Sequence, residues 1–140
     1  MASAKPIPFL RGEERAWFDA ARESRLMFQQ CESCGAVPNY PRSVCPTCWS
    51  PALQERTSAG HGIVYSFTTQ YRPGAPGFAD EVPYTLALVE LDEGFRVLAD
   101  LRDCPDEDLA VGLPVRAIFD EVSPNFTLPR FVPSNGEAAT

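Results

Sequence analysis

Cys31-Glu32-Ser33-Cys34, followed after ten residues that begin with Gly35 by Cys45-Pro46-Thr47-Cys48, is the stretch that decides how this chain is read. Two residues between paired cysteines allow a tight turn that aims both sulfurs at one point, and a second such turn supplies the other pair. Four converging thiolates make a tetrahedral site for a soft or borderline metal, with Zn–S bonds of about 2.3 Å. Gly35 permits the positive φ such a turn needs, and Pro46 sets φ in advance inside the second pair. The predicted ligands are therefore Cys31, Cys34, Cys45 and Cys48. A closed site of four thiolates leaves no open position for water or substrate, so the metal is expected to be structural. Its role would be to hold a segment whose own apolar residues (Val37, Tyr40, Val44, Trp49) are too few for a core.

Three other uses of these cysteines compete. Disulfides need an oxidising compartment, and Met1 to Leu10 carries one lysine and no apolar stretch of the kind that directs export. A redox pair of the thioredoxin kind opens a helix in a βαβ unit, which the proline-rich surroundings do not supply. Iron in the same cage is the closer rival, and zinc is preferred because nothing else in the chain resembles electron-transfer machinery. A soluble, cytoplasmic protein is the expectation.

Upstream of the cysteines, Arg11 to Arg25 reads as a helix with Trp17, Phe18 and Ala21 on one stripe. Glu13 and Glu14 near its start and Arg22 and Arg25 near its end suit the helix dipole. The short stripe must dock, either on its own domain or on a partner subunit. Downstream, from about Gly60, the pattern turns to strands. Ile63, Tyr65, Phe67, Thr69 and Tyr71 alternate as core residues of a strand do. Tyr84 to Leu91 is a nearly continuous apolar run, Asp92-Glu93-Gly94 is a turn signal, and Phe95, Val97, Ala99 and Leu101 form the second arm of that hairpin. A helical turn is expected at 106–109, a strand through Val115, Ala117 and Phe119, and a last strand over 127–132. Pro129 and Pro133 would suit an edge. Five antiparallel strands with a short helix between the third and fourth fit a small Greek-key barrel of the OB type; a sandwich is the runner-up. The predicted class is mainly β with an N-terminal helix, divided as helix and arm (1–25), metal ribbon (26–55), barrel (56–133) and a disordered tail (134–140).

The chain has 140 residues, enough for one domain with an appendage, and 44% hydrophobic content. No apolar run is long enough to span a membrane. The formal charge is −7, Lys5 is the single lysine, and eleven arginines are scattered. Phosphate-backbone binding needs clustered cations, so the charge pattern argues against a nucleic-acid partner, and four metal-bound thiolates would make the chain more negative still. The single histidine, His61, has no motif supplying a nucleophile or an orienting acid and reads as a solvated or satisfied core residue. Cys104 reads as a small buried hydrophobe. Asp103, Asp106, Glu107 and Asp108 read as a solvated turn, too poorly spaced for a hard-metal site. No catalytic constellation is present, and nothing marks cofactor-binding residues beyond the cysteines.

The ordered set of motifs also resembles a known family. The helix, the strand Leu26 to Gln30 running into CxxCG, Tyr40-Pro41-Arg42, CPxC, and Gly60-His61-Gly62-Ile63-Val64-Tyr65-Ser66 come in sequence. They are followed by Pro83-Tyr84, Val89-Glu90-Leu91-Asp92-Glu93-Gly94, Val111-Gly112-Leu113-Pro114-Val115 and Leu128-Pro129-Arg130-Phe131. This is similar to the acyl-CoA-associated OB-fold proteins with an N-terminal rubredoxin-like zinc ribbon, over residues 10 to 133. The resemblance implies a five-stranded OB barrel and a structural zinc on Cys31, Cys34, Cys45 and Cys48. It further implies a non-catalytic accessory subunit in a hetero-oligomer with a thiolase-like enzyme (thiolase, acyltransferase or side-chain aldolase) or a hot-dog-fold hydratase. The subunit would help shape an acyl-CoA channel in lipid, steroid or aromatic metabolism while the partner supplies the catalytic groups. Trp49 departs from the pattern, since the second knuckle often has a small residue there, and would alter the ribbon's outer surface. A free-standing OB module for CoA thioesters or single-stranded nucleic acid is the alternative.

Overall fold

In the computed structural model, which describes residues 5–134, the first element is helix α1, Glu14–Arg22. Trp17, Ala20 and Ala21 form its buried stripe, and Phe18 lies half-buried with its ring centroid 4.9 Å from that of Phe126. The helix thus docks on its own domain, against strands of both the ribbon and the barrel. It ends three residues before Arg25 because Ser24 takes a left-handed conformation (φ 60°). The Ser24 N–H then donates to Ala21 O at 2.9 Å and the Arg25 N–H to Ala20 O at 3.0 Å. This closes the last turn in the Schellman manner without the usual glycine.

Strand β1 (Leu26–Cys31) pairs antiparallel with β2 (Leu53–Ser58), in register from Leu26–Ser58 to Cys31–Leu53. The polar sequence of β2 gave no strand signal, and its last three residues belong to this hairpin rather than to the barrel. Leu26, Met27 and Phe28 are buried in succession, so β1 is covered on both faces at its start. Phe28 stacks on the fully buried Phe95, with centroids 4.9 Å apart and planes 13° from parallel.

The barrel follows as β3 (His61–Gln70), β4 (Tyr84–Leu91), β5 (Arg96–Leu101), β6 (Pro114–Ser123) and β7 (Phe126–Pro133), closed in the order β3-β4-β5-β7-β6. Every pairing is antiparallel except β5–β7, a single parallel bridge between Leu101 and Phe131. The mainly β class, with a five-stranded closed barrel of OB type and one N-terminal helix, holds. Val64, Val89, Val97, Val115, Ala87, Leu101 and Phe131 fill the interior. Short turns of 3₁₀ helix lie at Pro76–Phe78 and Asp106–Asp108. At Gly62, an added Cβ would lie 2.3 Å from Glu90 O, so only glycine lets β3 cross β4 this closely.

Three expectations are corrected. The alternation through β3 is broken by an irregularity between Val64 and Ser66 that changes which residues face inward. Val64 is fully buried, while Ile63 and Tyr65 lie on the outside, 42% and 45% exposed. Past the break Phe67 pairs with Ala87 but is still 38% exposed, and Tyr71 is 75% exposed. The run is therefore not a core stripe. Strand β7 is not an edge either, because it pairs with β6 over its whole length and touches β5 at Phe131. Residues 129, 131 and 133 share parity, so the missing N–H groups of Pro129 and Pro133 fall on the β5 side, where the ladder has a single bridge. Finally, Ser134, with which the tail was expected to begin, is buried and its N–H donates to Pro114 O at 3.0 Å. Residues 135–140 lie outside the described residues.

Candidate metal centre

The two knuckles have the same backbone plan. In the first, the Gly35 N–H donates to Cys31 O (2.9 Å) and the Cys31 N–H to Ala36 O (2.9 Å). In the second, the Trp49 N–H donates to Cys45 O and the Cys45 N–H to Ser50 O, both at 2.8 Å. Gly35 (φ 80°) and Trp49 (φ 68°) occupy equivalent positions, so both turns need the left-handed conformation. Glycine adopts it freely, whereas a tryptophan there is strained. A hydrogen bond of 2.9 Å between the Ser33 and Ser50 hydroxyls joins the knuckles. Gln29 on β1 holds the intervening loop by both ends of its amide, accepting from Arg42 N–H at 2.8 Å and donating to Arg42 O at 3.2 Å. Ser43 donates to Glu13, tying the same loop to the start of α1 and pulling the Glu13 carboxyl below its ordinary range.

All four predicted cysteines are brought together. Their sulfurs lie within 4.8 Å of one another, with Cys31 and Cys48 at 3.6 Å and Cys34 and Cys45 at 3.6 Å. Sulfurs at the corners of a tetrahedron about 2.3 Å from a central ion are roughly 3.8 Å apart, so the cluster fits a four-thiolate metal with little adjustment. A disulfide requires about 2.05 Å, and all five cysteines are free. The thiols are not equivalent. The Cys48 N–H, then that of Thr47, favours the Cys45 thiolate and brings its pKa down to about 6. The Cys34 N–H, then that of Ser33, lowers Cys31 in the same way. At Cys34 the Ala36 N–H favours the thiolate, but loss of water and the three neighbouring sulfurs outweigh it and raise the pKa to about 12. Cys48 is also raised: the Ser50 N–H is outweighed by loss of water and by Cys31 and Cys45. In each knuckle the first cysteine is thus shifted toward the thiolate and the second away from it, and an arriving cation would favour ionisation of all four.

Other residues singled out from sequence lie apart from this cluster. His61 is half-buried at the start of β3, where its carbonyl accepts from Asp92 N–H at 2.9 Å. Cys104 is half-buried against the core; burial, then Asp108, Asp106 and Glu107, push its thiol up, away from the reactive thiolate. Trp49 is 78% exposed on the outer face of the second knuckle.

Sequence reasoning missed two residues between the knuckles that seat the ribbon on the barrel. The Asn39 side-chain oxygen accepts from Arg96 N–H at 3.1 Å, and the Tyr40 hydroxyl oxygen accepts from Leu98 N–H at 2.8 Å. Both donors lie on the side of β5 that β7 leaves unpaired. The ribbon therefore caps an open strand edge, which would otherwise invite pairing with another chain. No signal in the sequence marked this, because the contacts join residues 57 and 58 positions apart.

Comparison with known proteins places this geometry. Residues 18–54 match the rubredoxin-like zinc ribbon domain of ChsH2, and residues 55–120 match the ChsH2 C-terminal OB-fold domain. The chain belongs to the DUF35 family, whose ChsH2-type members join these two domains. It is 30% identical over 109 residues to a DUF35 domain-containing scaffold protein of Methanocaldococcus jannaschii, covering 77% of each chain. It is 36% identical over 130 residues to a protein of Thermomonospora curvata named "probable enoyl-CoA hydratase alpha subunit". That match takes in 93% of this chain but 40% of the relative's length. Among solved structures, a chain described as "Ltp2-ChsH2(DUF35) aldolase" superposes with a TM-score of 0.82 at 36% identity, over 91% of this chain and 99% of the other. Among the described residues no helix is long and apolar enough to cross a membrane.

Proposed function

We propose that this chain is a non-catalytic, zinc-stabilised subunit that assembles with an enzyme acting on acyl-CoA, in the first instance a thiolase-like aldolase, acyltransferase or thiolase. The observation that carries this reading is the likeness to the ChsH2 chain of the Ltp2 aldolase along almost that chain's full length, fold and sequence together. Cys31, Cys34, Cys45 and Cys48 would hold Zn²⁺, which supplies a rigid tetrahedral tie between the knuckles and no open site for chemistry. That tie fixes the loop carrying Asn39 and Tyr40 and, through Ser43, the start of α1. The metal would so define how ribbon, helix and barrel present one surface to a partner. The barrel would help shape the channel through which the partner's acyl-CoA enters, while the partner supplies the nucleophile and base.

A second reading has its own support in the Thermomonospora relative's name, which pairs a chain of this type with hydration of an enoyl-CoA. Affinity capture of the tagged full chain from its native host, with metal analysis of the product, tests both. Near-stoichiometric recovery of a thiolase-like enzyme, with one zinc per chain, supports the first reading. A hydratase partner moves the assignment to the second. A chain that returns alone with no metal overturns the proposal.

A further inference from the structure

The four sulfurs of the ribbon differ in access and in the donors that face them. Cys31 and Cys45 are 1% and 0% exposed, whereas Cys34 and Cys48 lie at the surface. Each buried sulfur accepts from two backbone N–H groups, those of Cys34 and Ser33 at Cys31 and those of Cys48 and Thr47 at Cys45. Each surface sulfur accepts from one, that of Ala36 at Cys34 and that of Ser50 at Cys48. A hydrogen bond stabilises a thiolate and makes it a weaker nucleophile. With all four ionised by a metal, the surface pair therefore keeps the greater nucleophilicity as well as the greater access.

A buried sulfur also stands beside each surface one. Cys34 Sγ is 3.6 Å from Cys45 Sγ, and Cys48 Sγ is 3.6 Å from Cys31 Sγ. Both contacts run between the knuckles. A disulfide bond is about 2.05 Å long, so closing either pair asks for an approach of only about 1.5 Å. The fifth cysteine does not compete. Cys104 is half-buried against the core, and burial, then Asp108, Asp106 and Glu107, disfavour its thiolate.

We propose that Cys34 and Cys48 are oxidation sites for hydroperoxides, resolved across the knuckles as Cys34–Cys45 and Cys31–Cys48 disulfides with loss of the metal. The Cys34 sulfur attacks the terminal oxygen of the peroxide. The S–O bond forms, the O–O bond breaks, and the departing alkoxide or hydroxide takes a proton from solvent. Cys45 then attacks the sulfur of the sulfenic acid. The S–S bond forms, the S–O bond breaks, and the departing hydroxide takes up a second proton to become water. Cys48 and Cys31 follow the same course. Each pair of thiolates gives two electrons to one peroxide, so two peroxides consume all four ligands and free the metal. Both new bonds close the loop of residues 35–44 at its base. The oxidised chain therefore loses its metal but keeps the Asn39 and Tyr40 clamp on β5, and a thiol reductant reverses the change. The proposal rests on the metal-bound reading of the cluster and is independent of the partner enzyme.

The test uses the full chain loaded with zinc, its metal content measured first, and hydrogen peroxide added in steps. A chain that takes up no zinc refutes the metal reading itself, and this proposal with it. From the loaded chain, a chromogenic chelator should record one zinc released for every two disulfides formed, while Cys104 stays reduced. After the remaining thiols are blocked in acid, trypsin cuts at Arg25, Arg42 and Arg56, leaving Cys31 and Cys34 on one peptide and Cys45 and Cys48 on another. Disulfides across the knuckles join these peptides, and fragmentation of the joined pair reads which cysteines are bonded. Limiting N-ethylmaleimide gives a separate readout and should label Cys34 and Cys48 of the loaded chain before Cys31 and Cys45. The oxidised chain should melt above the reduced, metal-stripped chain, and dithiothreitol with zinc should restore the starting metal content. Zinc retained until Cys104 is oxidised overturns the proposal. So do disulfides confined within the knuckles, sulfinic or sulfonic products without disulfides, or labelling of the buried pair first.

Discussion

Replacing Phe28 by alanine tests whether the ribbon and the barrel form one cooperative unit. Phe28 is 8% exposed, and its ring lies parallel to that of Phe95, which is fully buried at the turn between β4 and β5. A phenylalanine buries on the order of 150–250 Å², worth about 25 cal/mol per Å². Truncation to alanine removes most of that contact and leaves a cavity between two rigid elements, at a cost of about 3–5 kcal/mol. The stacked pair accounts for roughly 1 kcal/mol of this. Against a total of some 5–15 kcal/mol for a domain of this size, the loss is severe, lowering the melting temperature by roughly 10–15 °C. Thermal and urea denaturation of the metal-saturated protein, followed by far-ultraviolet circular dichroism, gives the number. A double-mutant cycle with Phe95→Leu should show coupling of about 0.5–1.5 kcal/mol between the two rings. A loss below about 1.5 kcal/mol with additive single mutants would refute the claim that this stack joins the two parts.

Near pH 7.5 Cys45 is a thiolate while Cys34 and Cys48 are thiols, so metal binding should expel at least two protons, and affinity should fall about a hundredfold for each pH unit downward. Proton release measured in weakly buffered solution checks this, and release of less than one proton per metal contradicts it. Trp49→Gly removes left-handed strain of about 1–2 kcal/mol from a side chain that is 78% exposed. After the added entropy of glycine in the unfolded chain, the metal-loaded protein should be equally stable or up to about 1 kcal/mol more stable. The same substitution should weaken capture of a partner if the exposed ring makes that contact. Destabilisation beyond about 1 kcal/mol in the chain alone would show instead that the ring packs within the ribbon. Gly62→Ala drives a methyl group into Glu90 O and should cost about 1–3 kcal/mol by chemical denaturation, whereas Gly94→Ala, with open space around it, should lose only what its positive φ demands.

The parts of this fold that were legible in the sequence are those specified by local chemistry. The CxxC pairs, the apolar run of β4 and the Asp92-Glu93-Gly94 turn each encode their geometry within a few residues. What escaped was set by tertiary contacts. Strand β2 exposes four consecutive residues, Gln54 to Thr57, and is a strand only because β1 pairs with it. Helix α1 stops at Arg22 through a left-handed Ser24, where glycine would have been the signal. The break beside Tyr65 moved aromatic residues out of the predicted core, and Arg96 now lies 3.7 Å over the Tyr65 ring. The Asn39 and Tyr40 clamp joins residues distant in sequence, so no spacing could announce it. The four-cysteine cluster, by contrast, is two local turns whose CxxC spacing already announced that their sulfurs would converge.

The most direct measurement of the proposed accessory role is the acyl-CoA activity of the enzyme subunit captured with this chain by the affinity experiment above, assayed alone, with the metal-loaded chain, and with a Cys45→Ser chain that cannot complete the four-thiolate site. The account predicts no turnover by the chain alone, little by the partner alone, and full activity only when the metal-loaded chain is restored, with the Cys45→Ser protein failing to substitute. A partner as active without the chain as with it, or turnover by the isolated chain, would contradict the account.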